Sequence, residues 1–288
     1  MNSGRIRIGF GGEILPSETL RILLDNPEAL LDDRKSETVK AGRTSLVVRT
    51  SVVGKDGPFS VAFKRIKRKT LWKRMTSFVE TNRAWRNWRI AHWCLEHGIS
   101  TPCPVAAIVP RRHLASANCY LVTKWIDHAK DLHDYLQDYE KQDCYLQDYE
   151  KQDCEKKFSE KTTTSLREFT IALGKLLGKM HKFGLSHRDL KAGNFLVVEQ
   201  PLPSQLYLID LDGAKIHQRL NIARKVRNLS RLGLAVSPFR VLTASRYLRF
   251  LKTYLATSEI PVDEWKKWWR EISADILRRS TQKRKRAA

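Results

Sequence analysis

The sequence predicts an α+β protein of two lobes, in which a small N-terminal antiparallel sheet with one main helix precedes a larger, mostly helical C-terminal lobe. Three observations predict this arrangement. The chain has 288 residues, 42% of them hydrophobic, which suits two packed lobes rather than a disordered chain. β-rich runs with turn signals lie before residue 126, and long stretches with helical periodicity lie after it. We therefore assign residues 1–126 to an N-terminal extension and the first lobe, and residues 127–288 to the second lobe.

In the first lobe, turn chemistry and apolar spacing define the elements. Two β-rich runs are separated by Gly54–Pro58, whose glycine and aspartate residues supply a turn, so the runs predict an antiparallel hairpin. Trp85, Trp88 and His92 recur at helical spacing, and Gly98 suits the C-terminal cap of that helix. The predicted elements are a helix at 18–24, strands at 45–53 and 59–66, a helix at 76–97, and strands at 105–109 and 119–125.

The second lobe is predicted to begin with an insertion. Residues 135–144 are repeated without change as 145–154, and their polar composition indicates a duplicated surface segment, where insertions cost little. Ser165 and Glu168 then have the spacing of a capping box, which predicts that a helix begins there, and Gly184 suits its end. The remaining predicted elements are a hairpin of strands at 195–198 and 206–209, and helices after residue 213.

Charge is the unusual property of the composition. The chain contains 53 Lys and Arg residues against 31 Asp and Glu residues, a formal net charge of +22. An electrostatic field of this sign attracts phosphates, nucleic acids or an anionic bilayer surface, and it does not choose among them.

The cysteine content and the length of the apolar runs indicate the cellular compartment of the protein. The five cysteines are odd in number and form no Cys-x-x-Cys pair, which favours reduced thiols over disulfides or a zinc site. No apolar run approaches the roughly 20 residues that a membrane helix needs. The first residues also lack the pattern of a signal peptide. We therefore expect a cytoplasmic protein.

Most of the recognisable chemistry lies in the segment His187–Asn194, with the sequence HRDLKAGN. This segment fits the His-Arg-Asp-x-x-x-x-Asn pattern of a kinase catalytic loop. The spacing has a physical reason, because Asp189 would orient an acceptor hydroxyl and take its proton, while Asn194 would reach a magnesium ion on the phosphates of ATP. Lys191 lies between them, where its ammonium would meet the γ-phosphate as charge develops during transfer.

A second acidic segment follows the predicted hairpin. The strand that ends at Ile209 leads into Asp210, and kinases place a magnesium-binding aspartate directly after such a strand. The register of the strand assigns this role to Asp210, and the alternative register, with Asp212 and Gly213 as the motif, stays open. Together with the loop before it, this pattern predicts ATP and Mg²⁺ as cofactors.

The nucleotide side of the site is predicted around Lys64. The segment VAFK that ends at Lys64 resembles the Val-Ala-Ile-Lys strand whose lysine holds the α- and β-phosphates. Its partner on the following helix should be a glutamate, and Glu80 is the nearest candidate, with Glu96 as the alternative. Gly42 is one glycine where protein kinases carry three, and with Arg43 it would offer donors to the phosphates.

On these residues the chain resembles the lipopolysaccharide kinase (Kdo/WaaP) family, bacterial sugar kinases built on the protein-kinase fold. The resemblance covers about residues 40 to 255. It implies transfer of the γ-phosphate of ATP to a sugar hydroxyl of the lipopolysaccharide inner core, a heptose or Kdo. It also implies an anionic glycolipid acceptor and a peripheral contact with the cytoplasmic face of the inner membrane, which the net charge suits. The segments that carry the resemblance are Lys64, 98–105, 120–126, 187–196, 208–214 and 227–232.

This chain departs from the kinase pattern at several positions, and these departures bear on which other functions stay possible. No long activation segment and no Ala-Pro-Glu follow Asp210, which argues against a phospho-regulated protein kinase, and Lys124 stands where a hinge acid is common. A protein Ser/Thr kinase, a small-molecule phosphotransferase of the aminoglycoside or choline type, and a pseudokinase or nucleic-acid-binding scaffold all stay open. Intact Lys64, Asp189 and Asn194 argue against an inactive scaffold. No interleaved aromatic and basic RNA motif appears, so nucleic acid is not an expected partner, and the oligomeric state is left open.

Overall fold

The computed structural model describes residues 5–8, 15–32, 36–67, 83–109, 118–148, 154–200 and 204–287. The chain divides into two compact units, residues 1–96 with 101–126 and residues 97–100 with 127–288. Within the described ranges, no helix combines the length and the apolar character needed to cross a membrane. Among the described residues, Cys94, Cys103 and Cys119 form no disulfide.

The first unit is built on a six-stranded antiparallel sheet. Its elements are β1 (Arg5–Ile8), α1 (Ser17–Asp25), α2 (Ala29–Asp32), β2 (Glu37–Ala41), β3 (Ser45–Gly54), β4 (Gly57–Ile66), α3 (Arg83–Glu96), β5 (Pro104–Val109) and β6 (Cys119–Lys124). The strand order is β1-β5-β6-β4-β3-β2. The predicted β3–β4 hairpin is confirmed, and its turn ends at Gly57, whose φ of 115° suits a residue without a side chain.

The N-terminal segment covers one face of this sheet. Val61 and Phe63 of β4 pack in one apolar layer with Leu15 and Leu23, and all four side chains are fully buried. Because side chains alternate along a strand, the next residues of β4 belong to the opposite face. There Ile66 packs with Ala84 of α3.

A polar network fastens the same N-terminal segment to the two central strands of the sheet, β4 and β6. The carboxylate of Glu28 accepts hydrogen bonds from Arg65 Nη1 at 2.7 Å, from Asn118 Nδ2 at 3.2 Å and from the Tyr120 hydroxyl. Burial raises the pKa of Glu28, but the hydrogen bonds from Tyr120, Arg65 and Asn118 outweigh it and leave the pKa below its ordinary value. Glu28 is therefore ionised at neutral pH and holds three partners at once.

The second unit is mostly helical and carries two small sheets. Its elements are β7 (Lys130–Asp131), α4 (Leu132–Asp148), α5 (Cys154–Lys182), β8 (Leu185–His187), β9 (Phe195–Val198), β10 (Gln205–Leu208), β11 (Ala214–Ile216), α6 (Ile222–Val236), α7 (Ala244–Thr257) and α8 (Trp265–Ala287). The sheets have the orders β10-β9-β7 and β11-β8. The antiparallel pairing of β9 with β10 confirms the predicted hairpin, and the two units together confirm the predicted fold class.

Close packing of α5 on α7 depends on two glycines of α5. A Cβ at Gly174 would lie 2.9 Å from the Phe250 carbonyl oxygen, and one at Gly178 would lie 2.5 Å from Thr257 Cβ. Both distances are shorter than ordinary carbon contacts. The two helices approach as closely as they do because neither position carries a side chain.

The capping-box interpretation of Ser165 is wrong. Helix α5 begins at Cys154, and Ser165 lies inside it with 1% of its surface exposed. A serine at a helix start needs free backbone N–H groups, and these are already paired in the interior of a helix. The predicted end is confirmed at Gly184, which has a φ of 85° and packs so closely that a Cβ there would overlap the His217 carbonyl oxygen.

The expectation that residues 135–154 form a polar surface insertion is wrong for the first copy of the repeat. That copy lies within α4, where Tyr135, Leu136 and Tyr139 are 2%, 0% and 6% exposed. Their spacing of one and four residues places them on one stripe of the helix. The Tyr135 ring packs 5.2 Å from the ring of Phe169 in α5. Part of the second copy, residues 149–153, lies outside the described residues.

This burial predicts that the first copy stabilises the second unit. Leu136→Ala should lower the free energy of unfolding by about 2–5 kcal/mol, the usual cost of truncating a buried leucine. Leu277→Ala, at a leucine that is 68% exposed in α8, is the matched control and should change it by less than about 0.5 kcal/mol. Urea unfolding measures both, and equal losses in the two variants would contradict the packing of the first copy.

Candidate active site

The loop of residues 187–194 lies between β8 and β9 of the second unit. Its start is tied to the segment after β10 by two contacts. The Arg188 N–H donates to the Gly213 carbonyl oxygen at 2.8 Å, and His187 Nε2 lies 3.0 Å from the carbonyl oxygen of Asp210. The two segments that were singled out from the sequence, far apart along the chain, are therefore in direct contact.

Three of the predicted residues come together on this loop. The Lys191 ammonium lies 3.2 Å from a carboxylate oxygen of Asp189, and Asn194 Nδ2 donates to the backbone carbonyl of Asp189 at 2.6 Å. The Asp189 and Lys191 side chains are 63% and 52% exposed, so their ion pair adds little stability. The backbone of the loop, held by the buried Asn194, sets their positions.

Asp210 has an unusual backbone conformation. Its φ of 57° and ψ of 56° lie in the left-handed region, which is uncommon for residues other than glycine and is concentrated at functional sites. Asp212, the alternative candidate, lies in the short 3₁₀ turn Leu211–Gly213 that follows. The Ile209 N–H just before Asp210 donates to the carbonyl oxygen of Asn194 at 2.8 Å. Asp210 is thus coupled to Asn194 through the backbone.

The imidazole of His187 links the loop to Asp210 in its neutral form. Burial lowers the pKa of His187, although the Asp210 carbonyl and the charges of Asp210 and Asp189 raise it in part. A carbonyl oxygen can only accept, so Nε2 carries the proton. Gly213 packs against this ring, since a Cβ there would lie 3.1 Å from His187 Cε1.

Asn228 of α6 holds the start of the loop 187–194 through the backbone of His187. The sequence analysis assigned Asn228 no role. Its Oδ1 accepts from the backbone N–H of His187 at 3.0 Å, and its Nδ2 donates to the backbone carbonyl of His187 at 3.1 Å. The side chain is 2% exposed. The available sequence signal was a polar amide next to Leu229 on the buried side of an amphipathic helix.

A buried hydrogen-bonded chain fixes the orientation of the Asn228 amide. His181 Nε2 lies 3.3 Å from Asn228 Oδ1, and His181 Nδ1 lies 2.8 Å from the Tyr254 hydroxyl. Because burial lowers the pKa of His181 to about 4, the ring is neutral at neutral pH. Asn228 Oδ1 can only accept, so His181 Nε2 donates to it and Nδ1 accepts from Tyr254.

The predicted nucleotide-binding residues lie in the first unit. Lys64 lies in β4, which is flanked by β3 and β6, and shares the face of the sheet that α3 covers. Gly42 and Arg43 lie in the turn between β2 and β3, which a hydrogen bond from the Gly42 N–H closes at 2.8 Å. Glu80 lies outside the described residues, and Glu96, the alternative partner of Lys64, is the exposed last residue of α3.

The anchoring by Asn228 yields a prediction. Asn228→Ala leaves a buried N–H and a buried carbonyl of His187 without partners, at about 1–3 kcal/mol each. We expect lower stability and faster amide hydrogen exchange at residues 185–190. Ser230→Ala is the control, because Ser230 is a buried polar residue of α6 whose hydroxyl donates within the helix, to the Val226 carbonyl at 2.8 Å. Equal exchange rates at 185–190 in the two variants would contradict the anchoring role.

Comparison with known proteins places this geometry in a family. The model of the lipopolysaccharide kinase (Kdo/WaaP) family matches residues 33–254. The 3-deoxy-D-manno-octulosonic acid kinase of Haemophilus influenzae strain Rd is 27% identical over 159 residues, 54% of each chain. The kinase of the same name from Photobacterium profundum is 35% identical over 135 residues, 47% of this chain and 44% of that one. The matched part thus spans about half the length of these relatives.

A solved structure extends the likeness of fold over nearly the whole chain. The structure "WaaP in complex with acyl carrier protein" superposes with a TM-score of 0.62, at 20% sequence identity, and covers 96% of this chain and 98% of that one. At this identity the match shows a shared fold. The family model covers most of the chain, which confirms the resemblance inferred from the sequence, and the protein belongs to the lipopolysaccharide kinase (Kdo/WaaP) family.

Proposed function

We propose that the protein is an ATP-dependent kinase that transfers the γ-phosphate to a sugar hydroxyl of the lipopolysaccharide inner core. The observation that carries this proposal is the loop on which Asp189, Lys191 and Asn194 meet, in contact with Asp210. Membership of the family supports the reaction class, and the names of the relatives support the acceptor class. The candidate acceptors are a heptose or Kdo, which is 3-deoxy-D-manno-octulosonic acid, a sugar acid.

In this mechanism Asp189 is the catalytic base. Its carboxylate is exposed, so an acceptor hydroxyl can approach it, be oriented by it and transfer its proton to it. The Lys191 ammonium, 3.2 Å away, would stabilise the negative charge that develops on the transferring phosphoryl group. In the first unit, Lys64 would bind the α- and β-phosphates with Glu80 as its partner, while Gly42 and Arg43 would donate to the phosphates.

Asn194 and Asp210 have the donor chemistry that Mg²⁺ prefers, an amide oxygen and a carboxylate. The Asn194 Nδ2 is engaged by the Asp189 carbonyl, which leaves Oδ1 as its ligand atom. The left-handed backbone of Asp210 and the contact of its carbonyl oxygen with His187 support Asp210 over Asp212 as the ligand. The bound ion would neutralise charge on the phosphates of ATP.

The direct test is label transfer from ATP to purified inner-core glycolipid. Wild-type protein should label the glycolipid, and Asp189→Asn should lower the rate by a factor on the order of 10²–10⁴ while keeping the fold and the affinity for ATP. Label on a test protein, an aminoglycoside or choline instead of the glycolipid would support the alternative kinases. Retention of most of the turnover in Asp189→Asn would remove Asp189 from the role of base.

A second prediction distinguishes the two acidic candidates for the metal. Asp210→Ala should lose magnesium-dependent nucleotide binding, and Asp212→Ala should keep most of it. Titration of each variant with ATP, with and without Mg²⁺, measures this difference. If Asp212→Ala loses more magnesium-dependent nucleotide binding than Asp210→Ala, the metal is assigned to Asp212.

The net charge suggests where the acceptor is met. We infer that the enzyme is cytoplasmic and contacts the inner-membrane surface, where each basic residue near an anionic bilayer contributes on the order of 1 kcal/mol. Binding to vesicles of acidic lipid should fall steeply with salt, since the Debye length is about 8 Å at physiological ionic strength. Vesicle binding and glycolipid labelling should weaken together, with ATP binding intact, when five basic residues are replaced by glutamate: Lys67, Arg68, Lys69, Lys73 and Arg74. Unchanged vesicle binding would reject the membrane contact.

A further inference from the structure

A buried carboxylate and a group of arginines lie where α6 and α8 of the second unit pack together. Asp275 of α8 is 9% exposed; its Oδ2 accepts from Arg279 Nε at 2.6 Å, and its Oδ1 accepts from Arg278. Arg227 and Arg231 of α6 contribute the other two guanidinium groups, four residues apart on one side of the helix. Both oxygens of Asp275 are already bound, so positive charge is in excess here.

Arg231 is the central residue of this arginine cluster. It is half-buried, and within the described residues its guanidinium group makes no hydrogen bond and no ion pair. It follows Asn228 by three residues, which places the two side chains on the same side of α6. Asn228 holds the loop that carries Asp189, and the charge of Asp189 acts on Arg231. Arg231 therefore lies on the side of α6 that carries the contact with the loop of the proposed catalytic base, close enough for the charge of Asp189 to act on it.

The environment of Arg231 is unfavourable for a cation. Burial lowers its pKa, and the neighbouring charges of Arg279 and Arg227 lower it further. Asp189 and Asp275 act in the opposite direction but do not restore the ordinary pKa. A guanidinium that is partly desolvated, repelled by two others and without a bonded partner would be stabilised by a bound anion. Such an arrangement is typical of binding sites.

We propose that Arg231, together with Arg227 and Arg279, binds an oxyanion of the acceptor glycolipid and so positions the acceptor hydroxyl at Asp189. This inference rests on the proposed function. The planar guanidinium fork matches a carboxylate or a phosphate through two parallel hydrogen bonds. The sugar acid proposed as acceptor carries a carboxylate, and the glycolipid is the source of any phosphate. The site thus selects acceptors by an anionic group near the reacting hydroxyl.

The kinetic test compares Arg231→Gln with Arg270→Gln, which removes the same charge from an exposed position of α8. Three acceptors serve as probes: the Kdo-bearing glycolipid, the same lipid with its carboxyl group reduced to an alcohol, and the dephosphorylated lipid. Arg231→Gln should raise the KM for the intact glycolipid about tenfold or more, as expected when a hydrogen bond to a charged group is lost. Arg270→Gln should leave it unchanged.

The modified acceptors identify the anion. If Arg231 binds the carboxylate, wild type and Arg231→Gln should use the reduced lipid equally, and the defect should persist with the dephosphorylated lipid. If Arg231 binds a phosphate, wild type and Arg231→Gln should use the dephosphorylated lipid equally, and the defect should persist with the reduced lipid. An equal defect with all three acceptors, or a raised KM for ATP in place of a raised KM for the acceptor, would overturn the proposal.

A second readout does not depend on turnover. Because Arg231 is repelled by its neighbours, Arg231→Gln should melt at or above the wild-type Tm, whereas a fall of more than about 5 °C would show a structural role and overturn the proposal. At least one of free Kdo and inorganic phosphate should raise the Tm of wild type and Arg270→Gln by mass action, and should not raise that of Arg231→Gln. If wild type labels no glycolipid, the proposed function fails. The arginine site is then judged by this Tm shift alone, and equal shifts in all three proteins would reject it.

Discussion

The side-chain amide of Asn228 is the contact on which the candidate site depends. It satisfies both backbone polar groups of His187, which would otherwise be buried without partners. Two residues after His187 comes Asp189, and the His187 ring reaches the carbonyl of Asp210. This amide therefore helps to fix the proposed base, Asp189, relative to one proposed metal ligand. Its own orientation is fixed by His181 of α5 and Tyr254 of α7, so these two helices contribute to the geometry of the site.

The remainder of the second unit supports this arrangement by close packing. The close approach of α7 to α5 at Gly174 and Gly178 brings Tyr254 within reach of His181. A larger residue at either glycine would separate the helices and lengthen that hydrogen bond. The left-handed backbone at Asp210 is held against its own strain by the contacts of the flanking residues, from Ile209 to Asn194 and from Arg188 to Gly213.

The sequence located the candidate site through short motifs such as His187–Asn194, whose spacing follows from the reaction. It also predicted the hairpins, where turn residues decide the structure. The predictions from sequence failed where contacts with the rest of the fold determine the structure. The ten residues repeated at 135 and 145 are chemically identical, so only packing against neighbours such as Phe169 shows that the first copy is buried. Ser165 has the spacing of a cap, but the helix already begins at Cys154. The arginine cluster combines helices that are distant in sequence, so no linear pattern reveals it.

The packing of the N-terminal segment limits where this protein can be truncated without exposing its core. Similarity to the family begins at residue 33, yet Leu15, Leu23 and Glu28, which precede it, cover and fasten one face of the sheet. A shortened chain that starts at the family boundary would uncover Val61 and Phe63 and leave Arg65 without its carboxylate. Such a surface invites aggregation, because exposed apolar patches on sheets associate. The segment that the family model matches is therefore smaller than the unit that folds, and expression or domain-transfer experiments should retain the preceding residues.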